Sequence, residues 1–348
     1  MRIAIATVQV PFVTGGAEAH AEGLRRALLA EGHEAEIVTF PFNPSVPDRL
    51  PEQMLACSLI DLREIHGTRI DRVIALKFPA YLIPHPNKVV WLLHQHRAAY
   101  DLWNYPFEDL DAWPRGHIVR EAIRRADAQL GEARAVFANS KTIARRLAHF
   151  CRVVSTPLYH PPPQAEAFFC ASETEDYFFF PSRLSATKRQ SLVLEALALT
   201  KQPVRVRFSG AAANEEYLGR LQELAQKLGV AGRVQWLGMI TEEEKRETYA
   251  KALAVIFPPL DEDYGYVTLE AMLSAKAVIT CDDSGGPLEF VGDRETGLIA
   301  KPTAENLAVS LDQLWADRAL AAKYGRAGRA AYDALGLSWA KVIAQLLA

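Results

Sequence analysis

Short runs of β-branched and aromatic residues alternate along the chain with segments whose apolar positions recur every three or four residues. IAIATVQV reads as a strand, AEAHAEGLRRALLAEG as an amphipathic helix and EAEIVTF as the next strand. RVIAL, VVWLLHQ and AVFANS continue the series. Strands separated by helices pair in parallel, because each crossover returns the chain to the same end of the sheet. The rhythm stops after Arg152. STPLYHPPPQAEAFFC, with four prolines, reads as a linker of polyproline character without a regular element. Alternation resumes in YFFFPSRLS, VRVRFSG, RVQWLG, AVIFPP and AVITCDD, each followed by a helical pattern.

The expected fold class is therefore α/β, with two Rossmann-like, doubly wound parallel-sheet domains. Residues 1–160 form the first, 161–173 the linker and 174–337 the second. In SWAKVIAQLLA, Ser338 is placed as an N-cap, and Trp339, Val342, Ile343, Leu346 and Leu347 share one stripe. The helix over 338–348 is expected to pack back on the first domain. A chain of 348 residues suits two cores better than one. Two such domains imply a cleft in which the carboxyl ends of both sheets face one ligand.

Composition narrows the function. A formal charge of -3, with basic and acidic side chains nearly balanced in both halves of the chain, gives no nucleic-acid footprint. MRIAIATVQV enters a strand directly and does not read as a signal peptide, and the longest nearly apolar run, ALAVIFPPL, is too short for a bilayer span. The four cysteines are far apart and suggest neither a zinc site nor disulfides. A soluble cytoplasmic protein is expected. Basic segments carrying Arg115, Arg120, Arg124, Arg125, Arg145 and Arg146 offer peripheral contact with anionic lipid at the inner membrane face, or else are solvated helix faces.

Candidate chemistry lies where strands end. TGGAEAH carries Gly15 and Gly16 ahead of a helix, where backbone can approach an anion closely, although an ordinary loop and cap explains the pair equally. PSRLSATKRQSL places Arg183 and Lys188 after the first strand of the second domain. Two cations there can neutralise a diphosphate, or merely face solvent. EDYGYVTLE follows another strand and sets Glu262 and Glu270 with seven residues between them, Gly265 among these. Gly265 is poor helix interior, so Glu262 is expected in a loop and Glu270 in the first turns of a helix. The amides of Tyr266 and Val267 can meet the same phosphates. The glutamates accept from hydroxyls, Glu270 from a ribose and Glu262 from a sugar further out, unless they only compensate a helix dipole. His94 and His96 alternate onto one side of an extended segment, but no third metal ligand is evident.

With these motifs in place, the chain resembles the retaining GT-B glycosyltransferases of family GT4. The resemblance is carried by GGAEAHAEGLRRALLAEGHEAEIVT, SRLSATKRQSLVLEAL, VQWLGMITEEE, the paired glutamates, SGGPLEFV, TGLIAKP and the final SWAKVIAQLL. It implies donor phosphates at Gly16, the diphosphate on Arg183 and Lys188, the ribose on Glu270, the transferred sugar on Glu262 and the base on the main chain of Met239. It also implies that His94 lies near donor sugar and acceptor. Asp263 departs from the family pattern, standing at a usual glycine position. The implied activity is transfer of a hexosyl unit from a UDP- or GDP-sugar to a saccharide, lipid-linked or small-molecule hydroxyl, without metal or other cofactor, in glycan assembly. The catalytic set is His94, Glu262, Arg183 and Lys188. Two alternatives stand beside it. A non-catalytic nucleotide-sugar-binding subunit need not keep these side chains, and a dinucleotide oxidoreductase would show the GxGxxG fingerprint that this chain lacks.

Overall fold

The computed structural model describes residues 1–105, 110–212 and 214–348. It comprises two compact units, Met1–Pro163 with Ser338–Ala348, and Gln164–Leu337. The first begins with strand β1 (Arg2–Gln9), helix α1 (Gly16–Ala30) and β2 (Glu34–Pro41). Helix α2 (Leu50–Ser58) and a small antiparallel pair, β3 (Glu64–Ile65) and β4 (Thr68–Arg69), precede β5 (Arg72–Ala75) and β6 (Lys88–Leu92). Then come α3 (Gly116–Asp127), β7 (Ala135–Ala138), α4 (Lys141–Arg146) and β8 (Thr156–Pro157). Six of these strands form one parallel sheet in the order β2-β1-β5-β6-β7-β8. Every residue of β5 and β6 is buried, which explains continuous apolar runs in place of alternation.

The proline-rich stretch is more regular than the sequence suggests. Thr156 and Pro157 pair in parallel with Phe137 and Ala138 as an edge strand, where a proline leaves no ladder bond unmade on the open side. The amide of Leu158 donates to the Ala138 carbonyl at 2.7 Å, and the Leu158 carbonyl accepts from Trp91 Nε1 at 3.2 Å.

The second unit runs β9 (Phe178–Pro181), α5 (Gln190–Leu199), β10 (Val206–Ser209), α6 (Glu215–Lys227), β11 (Val234–Trp236), α7 (Glu242–Lys251) and β12 (Ala254–Ile256). It continues with α8 (Tyr266–Leu273), β13 (Val278–Cys281), β14 (Gly297–Ala300), α9 (Ala304–Ala316) and α10 (Arg318–Leu335). Its parallel sheet has the order β11-β10-β9-β12-β13-β14. Counted from β9, that is the doubly wound 3-2-1-4-5-6 order, which reverses direction between β9 and β12. Loops leaving the carboxyl ends of these two strands diverge and leave a crevice. Strand β14 has four residues inside a turn-rich stretch and is not among the strands read from sequence. Phe178, Phe180, Phe208, Leu194, Leu197 and Leu311 are fully buried in the core on one face of this sheet. Each sheet with its covering helices forms a Rossmann-like unit. Among the described residues, no helix is long and apolar enough to cross a membrane.

The last helix, α11 (Trp339–Leu347), belongs to the first unit. The Ser338 side chain accepts from the Lys341 amide, and Val342, Ile343 and Leu346 are buried in the cluster that includes Leu24 and Leu28 of α1. Trp339 enters a ring cluster with His20, Trp91 and His160, at centroid distances of 5.7 to 6.2 Å. Gly23 makes room for it, since a Cβ there would stand 2.6 Å from the indole. Within the cluster, His20 Nδ1 and His160 Nε2 are 2.9 Å apart. Burial pulls His20 down to about 3 and His160 well below its usual value, so both imidazoles are neutral near pH 7.

An unfolded histidine gains its proton near pH 6.5, whereas folded His20 resists it. The folded state therefore binds fewer protons, and its His20 contribution is complete above pH 6.5 and lost as pH falls. Asp127 acts in the opposite sense, because burial raises it to about 6 despite hydrogen bonds from Tyr81 and Tyr100. Comparison with His20→Gln isolates the imidazole. Between pH 6 and pH 4 the wild type should lose about 1.4 kcal/mol per pH unit more than the variant in urea unfolding. Parallel curves would mean that His20 titrates normally in the fold.

Candidate functional site

The loops at the reversal point carry most of the polar residues singled out from sequence. The loop from β9 ends in a helical turn at Ala186–Lys188, and Lys188 Nζ forms an ion pair with Glu262 Oε2 on the loop from β12. The ammonium also lies 5.4 Å from the centroid of the Phe257 ring. Main chain laces the loops as well, through the Leu260 amide and the Thr187 carbonyl at 2.7 Å. Arg183 is exposed on the first loop. Its carbonyl accepts from Nε2 of the fully buried Gln190 at 3.1 Å, and Gln190 Oε1 accepts from the Ser185 amide at 3.3 Å. Gln190 thus staples the cationic loop, a role that an isolated glutamine in sequence does not announce.

EDYGYVTLE is a loop followed by a helix. Gly265 has φ +81° and precedes α8, and a Cβ there would sit 3.2 Å from both Phe257 and Pro287. Tyr266 and Val267 open the helix and are partly exposed. Glu270 lies on its inner face with 5% exposure. It accepts from Tyr249 Oη at 2.8 Å and from Lys245 Nζ at 3.1 Å, so it serves neither as a cap nor as a surface charge. Two donors offset the high cost of burying a carboxylate. Burial and the Glu270 carboxylate push the Tyr249 phenol far above its usual value, which keeps it a neutral donor. Burial pulls the Lys245 ammonium down, but Glu270 and Glu242 outweigh it and hold Lys245 above its ordinary value. Met239 follows β11 and is 77% exposed. The preceding Gly238 accepts from the Gly210 amide at 2.8 Å, which ties the exits of β10 and β11 together.

A third loop, from β13, backs the second. The amides of Asp261 and Glu262 donate to the carbonyls of Asp283 and Ser284, both at 2.9 Å, and the Gly286 amide returns a bond to the Glu262 carbonyl at 2.8 Å. A Cβ at Gly285 would stand 2.6 Å from the Glu262 carbonyl oxygen, and one at Gly286 would stand 2.6 Å from that of Tyr264. The glycine pair in SGGPLEF was the sequence signal for this close approach. Behind it, Arg189 holds Asp283 through two hydrogen bonds of 2.8 and 2.6 Å. Arg189 has φ +60°, a left-handed backbone that costs a non-glycine residue about 1 kcal/mol or more.

The other candidates belong to the first unit. Gly15 is the N-cap of α1 and Gly16 its first residue. The Gly15 amide donates to Glu18 Oε2 at 2.8 Å, while Glu18 Oε1 meets Lys77 Nζ at 3.3 Å, so a carboxylate of the chain itself stands at this helix start. His94, just beyond β6, is partly buried with Nδ1 2.8 Å from the Gln95 carbonyl. His96 packs on Phe78 at 5.2 Å, and burial together with His94 lowers it to about 4. Two of the arginines read as lipid-facing turn inward. Arg120 stacks on Trp103 at 4.2 Å and donates to the Ala99 carbonyl, and the buried Arg146 lies 3.9 Å from Asp101.

Comparison with known proteins shows what the chain is similar to. Residues 166–331 match the model for glycosyl transferases group 1. Its second unit is thus similar to the group 1 glycosyl transferases. One curated relative is the alpha-1,3/1,6-mannosyltransferase ALG2 of Dictyostelium discoideum, 33% identical over 121 residues. That match covers 35% of this chain but only 29% of the relative's length. Solved structures extend the likeness to both units. Sucrose-phosphate synthase from Thermosynechococcus elongatus superposes with a TM-score of 0.79 at 19% identity, covering 99% of this chain and 97% of that one. Anabaena HepE, solved in complex with UDP and glucose, gives 0.72 at 17% identity over 100% and 98% of the two chains. At these identities the superpositions establish the fold alone. In the unit that carries this similarity, the β9, β12 and β13 loops form one hydrogen-bonded assembly around Lys188 and Glu262.

The tight backing predicts which glycines tolerate a methyl group. Gly285→Ala should lower unfolding free energy by about 2 kcal/mol, because it combines positive φ with a backbone clash. Gly219→Ala, in the middle of α6 with nothing within 4 Å, should instead add up to about 1 kcal/mol. Urea denaturation decides between them, and equal effects would contradict the close backing of the Glu262 loop.

Proposed function

We propose that the chain is a retaining glycosyltransferase that moves a hexosyl unit from a nucleotide-diphosphate sugar to an acceptor hydroxyl. The observation that carries the reading is the Lys188–Glu262 pair at the sheet reversal, with the buried Glu270 on the helix that follows. Arg183 and Lys188 supply the cations that a departing diphosphate requires, Arg183 through its fork and Lys188 as a point charge. The first turn of α8, from Tyr266 and Val267, adds the positive end of a helix dipole. Such groups stabilise negative charge that grows as the glycosidic bond breaks.

Glu262 takes hydroxyls of the transferred sugar. Glu270, oriented by Lys245 and Tyr249, takes the ribose hydroxyls with its remaining lone pairs. Met239 main chain takes the base, and Gly15 and Gly16 present backbone to the donor phosphates. No metal or other cofactor enters the reaction in this reading. Retention of configuration is proposed to follow front-face substitution, in which the leaving phosphate accepts the acceptor's proton. The first unit is proposed to take a saccharide or lipid-linked acceptor, with His94 as its polar group. UDP-sugars are the first donors to test, since HepE was solved with UDP and glucose.

The deciding experiment is a thermal-shift screen of UDP, GDP, ADP, CMP and dTDP and their sugar conjugates, without added metal. One nucleoside diphosphate should raise the wild-type midpoint, because a ligand at 100 times its Kd adds about 2.7 kcal/mol. Glu270→Ala should abolish most of that shift. Lys188→Ala should lower kcat about a hundredfold in the transferase assay. Wild-type behaviour in both variants would move the donor site elsewhere.

A further inference from the structure

We infer that Arg189 and Asp283 are positioning residues for Glu262, holding its loop in register when Lys188 leaves Glu262 for the donor diphosphate. This rests on the donor-site reading above. Lys188 and Arg189 are consecutive, yet they reach carboxylates on different loops, Glu262 beyond β12 and Asp283 beyond β13. The Arg189–Asp283 contact is a two-pronged fork, with Nη1 to Oδ1 at 2.8 Å and Nη2 to Oδ2 at 2.6 Å. It is partly sheltered, with 19% and 35% of the two side chains exposed.

Asp283 does not act on the Glu262 side chain. Its influence passes through main chain, because its carbonyl accepts from Asp261 and the next carbonyl, that of Ser284, accepts from Glu262. The Gly286 amide closes the set on the Glu262 carbonyl. The carboxylate that receives Arg189 is therefore part of the strip against which Glu262 is aligned. Arg189 itself occupies a left-handed backbone position that glycine or asparagine fills more easily. An arginine there is explained by the reach of its fork.

Lys188 cannot remain fully on Glu262 once it turns to a diphosphate. At that moment the Glu262 loop loses the Lys188 tether to the β9 loop, and the Arg189–Asp283 fork is an ion pair that still joins the β9 exit to the strip behind Glu262, beside the main-chain bond from Leu260 to Thr187. Loss of the fork should then be felt where Glu262 meets the sugar, and little where the nucleotide is held.

The test measures Kd for UDP and UDP-glucose, or for GDP and GDP-mannose if guanine binds instead, with wild type, Arg189→Gln, Asp283→Asn and the charge swap Arg189→Asp with Asp283→Arg. Each single change should weaken the sugar nucleotide about tenfold while leaving the bare diphosphate within about twofold, and the swap should recover much of the loss. Arg189→Lys, which keeps charge without the fork, should fall between. Equal losses for both ligands would overturn the inference in favour of a general electrostatic or structural role, as would no loss for either. Failure of the wild type to bind any of the four probes would instead overturn the donor-site reading on which the inference rests.

Discussion

The contact between Lys188 and Glu262 joins residues 74 apart in sequence, and the surrounding loops are arranged around it. It can form because β9 and β12 are neighbours in the sheet although three helices and two strands separate them in the chain. The reversal of strand order at that point sends their exits in different directions, so the two charges meet across a gap. A partly exposed pair of this kind contributes only about 0–1 kcal/mol to stability. The left-handed residue beside it costs a comparable amount. Stability therefore does not explain the arrangement, whereas the proposed donor, carrying both phosphate and hydroxyl groups, would.

The sheet cores provide the stability that permits this. Fully buried aromatic side chains such as Phe178, Phe180 and Phe208 each represent about 3–5 kcal/mol against alanine. Against that reserve, strain at Arg189 and the close approach at Gly285 are small. Glu270 follows a different logic. It is buried with two donors, so its carboxylate is oriented without reference to the partly exposed Lys188–Glu262 pair.

Much of this was legible in the sequence because parallel sheets write long apolar runs and because glycine marks where backbone turns. Both doubly wound sheets followed from those runs, and the helix start after Gly265 followed from the left-handed turn that glycine permits. Strand β8 was hidden by Pro157, since an edge strand tolerates a residue that normally signals a break. The partners of the site residues were not legible. Tyr249, Lys245, Gln190 and Asp283 are ordinary residues in sequence, and their roles arise only when α7, α5 and the β13 exit come together beside the two loops. The six arginines likewise read from sequence as lipid contacts or solvated helix faces, yet Arg120 and Arg146 spend their charge on neighbours within the first unit.

The most direct test of the central claim is a crystal structure of the protein with the nucleoside diphosphate sugar that binds it. The diphosphate should lie against Arg183 and Lys188, the ribose hydroxyls on Glu270 and the sugar hydroxyls on Glu262, with the Lys188–Glu262 contact opened. A donor bound away from the β9 and β12 exits, with that contact intact, would contradict the account.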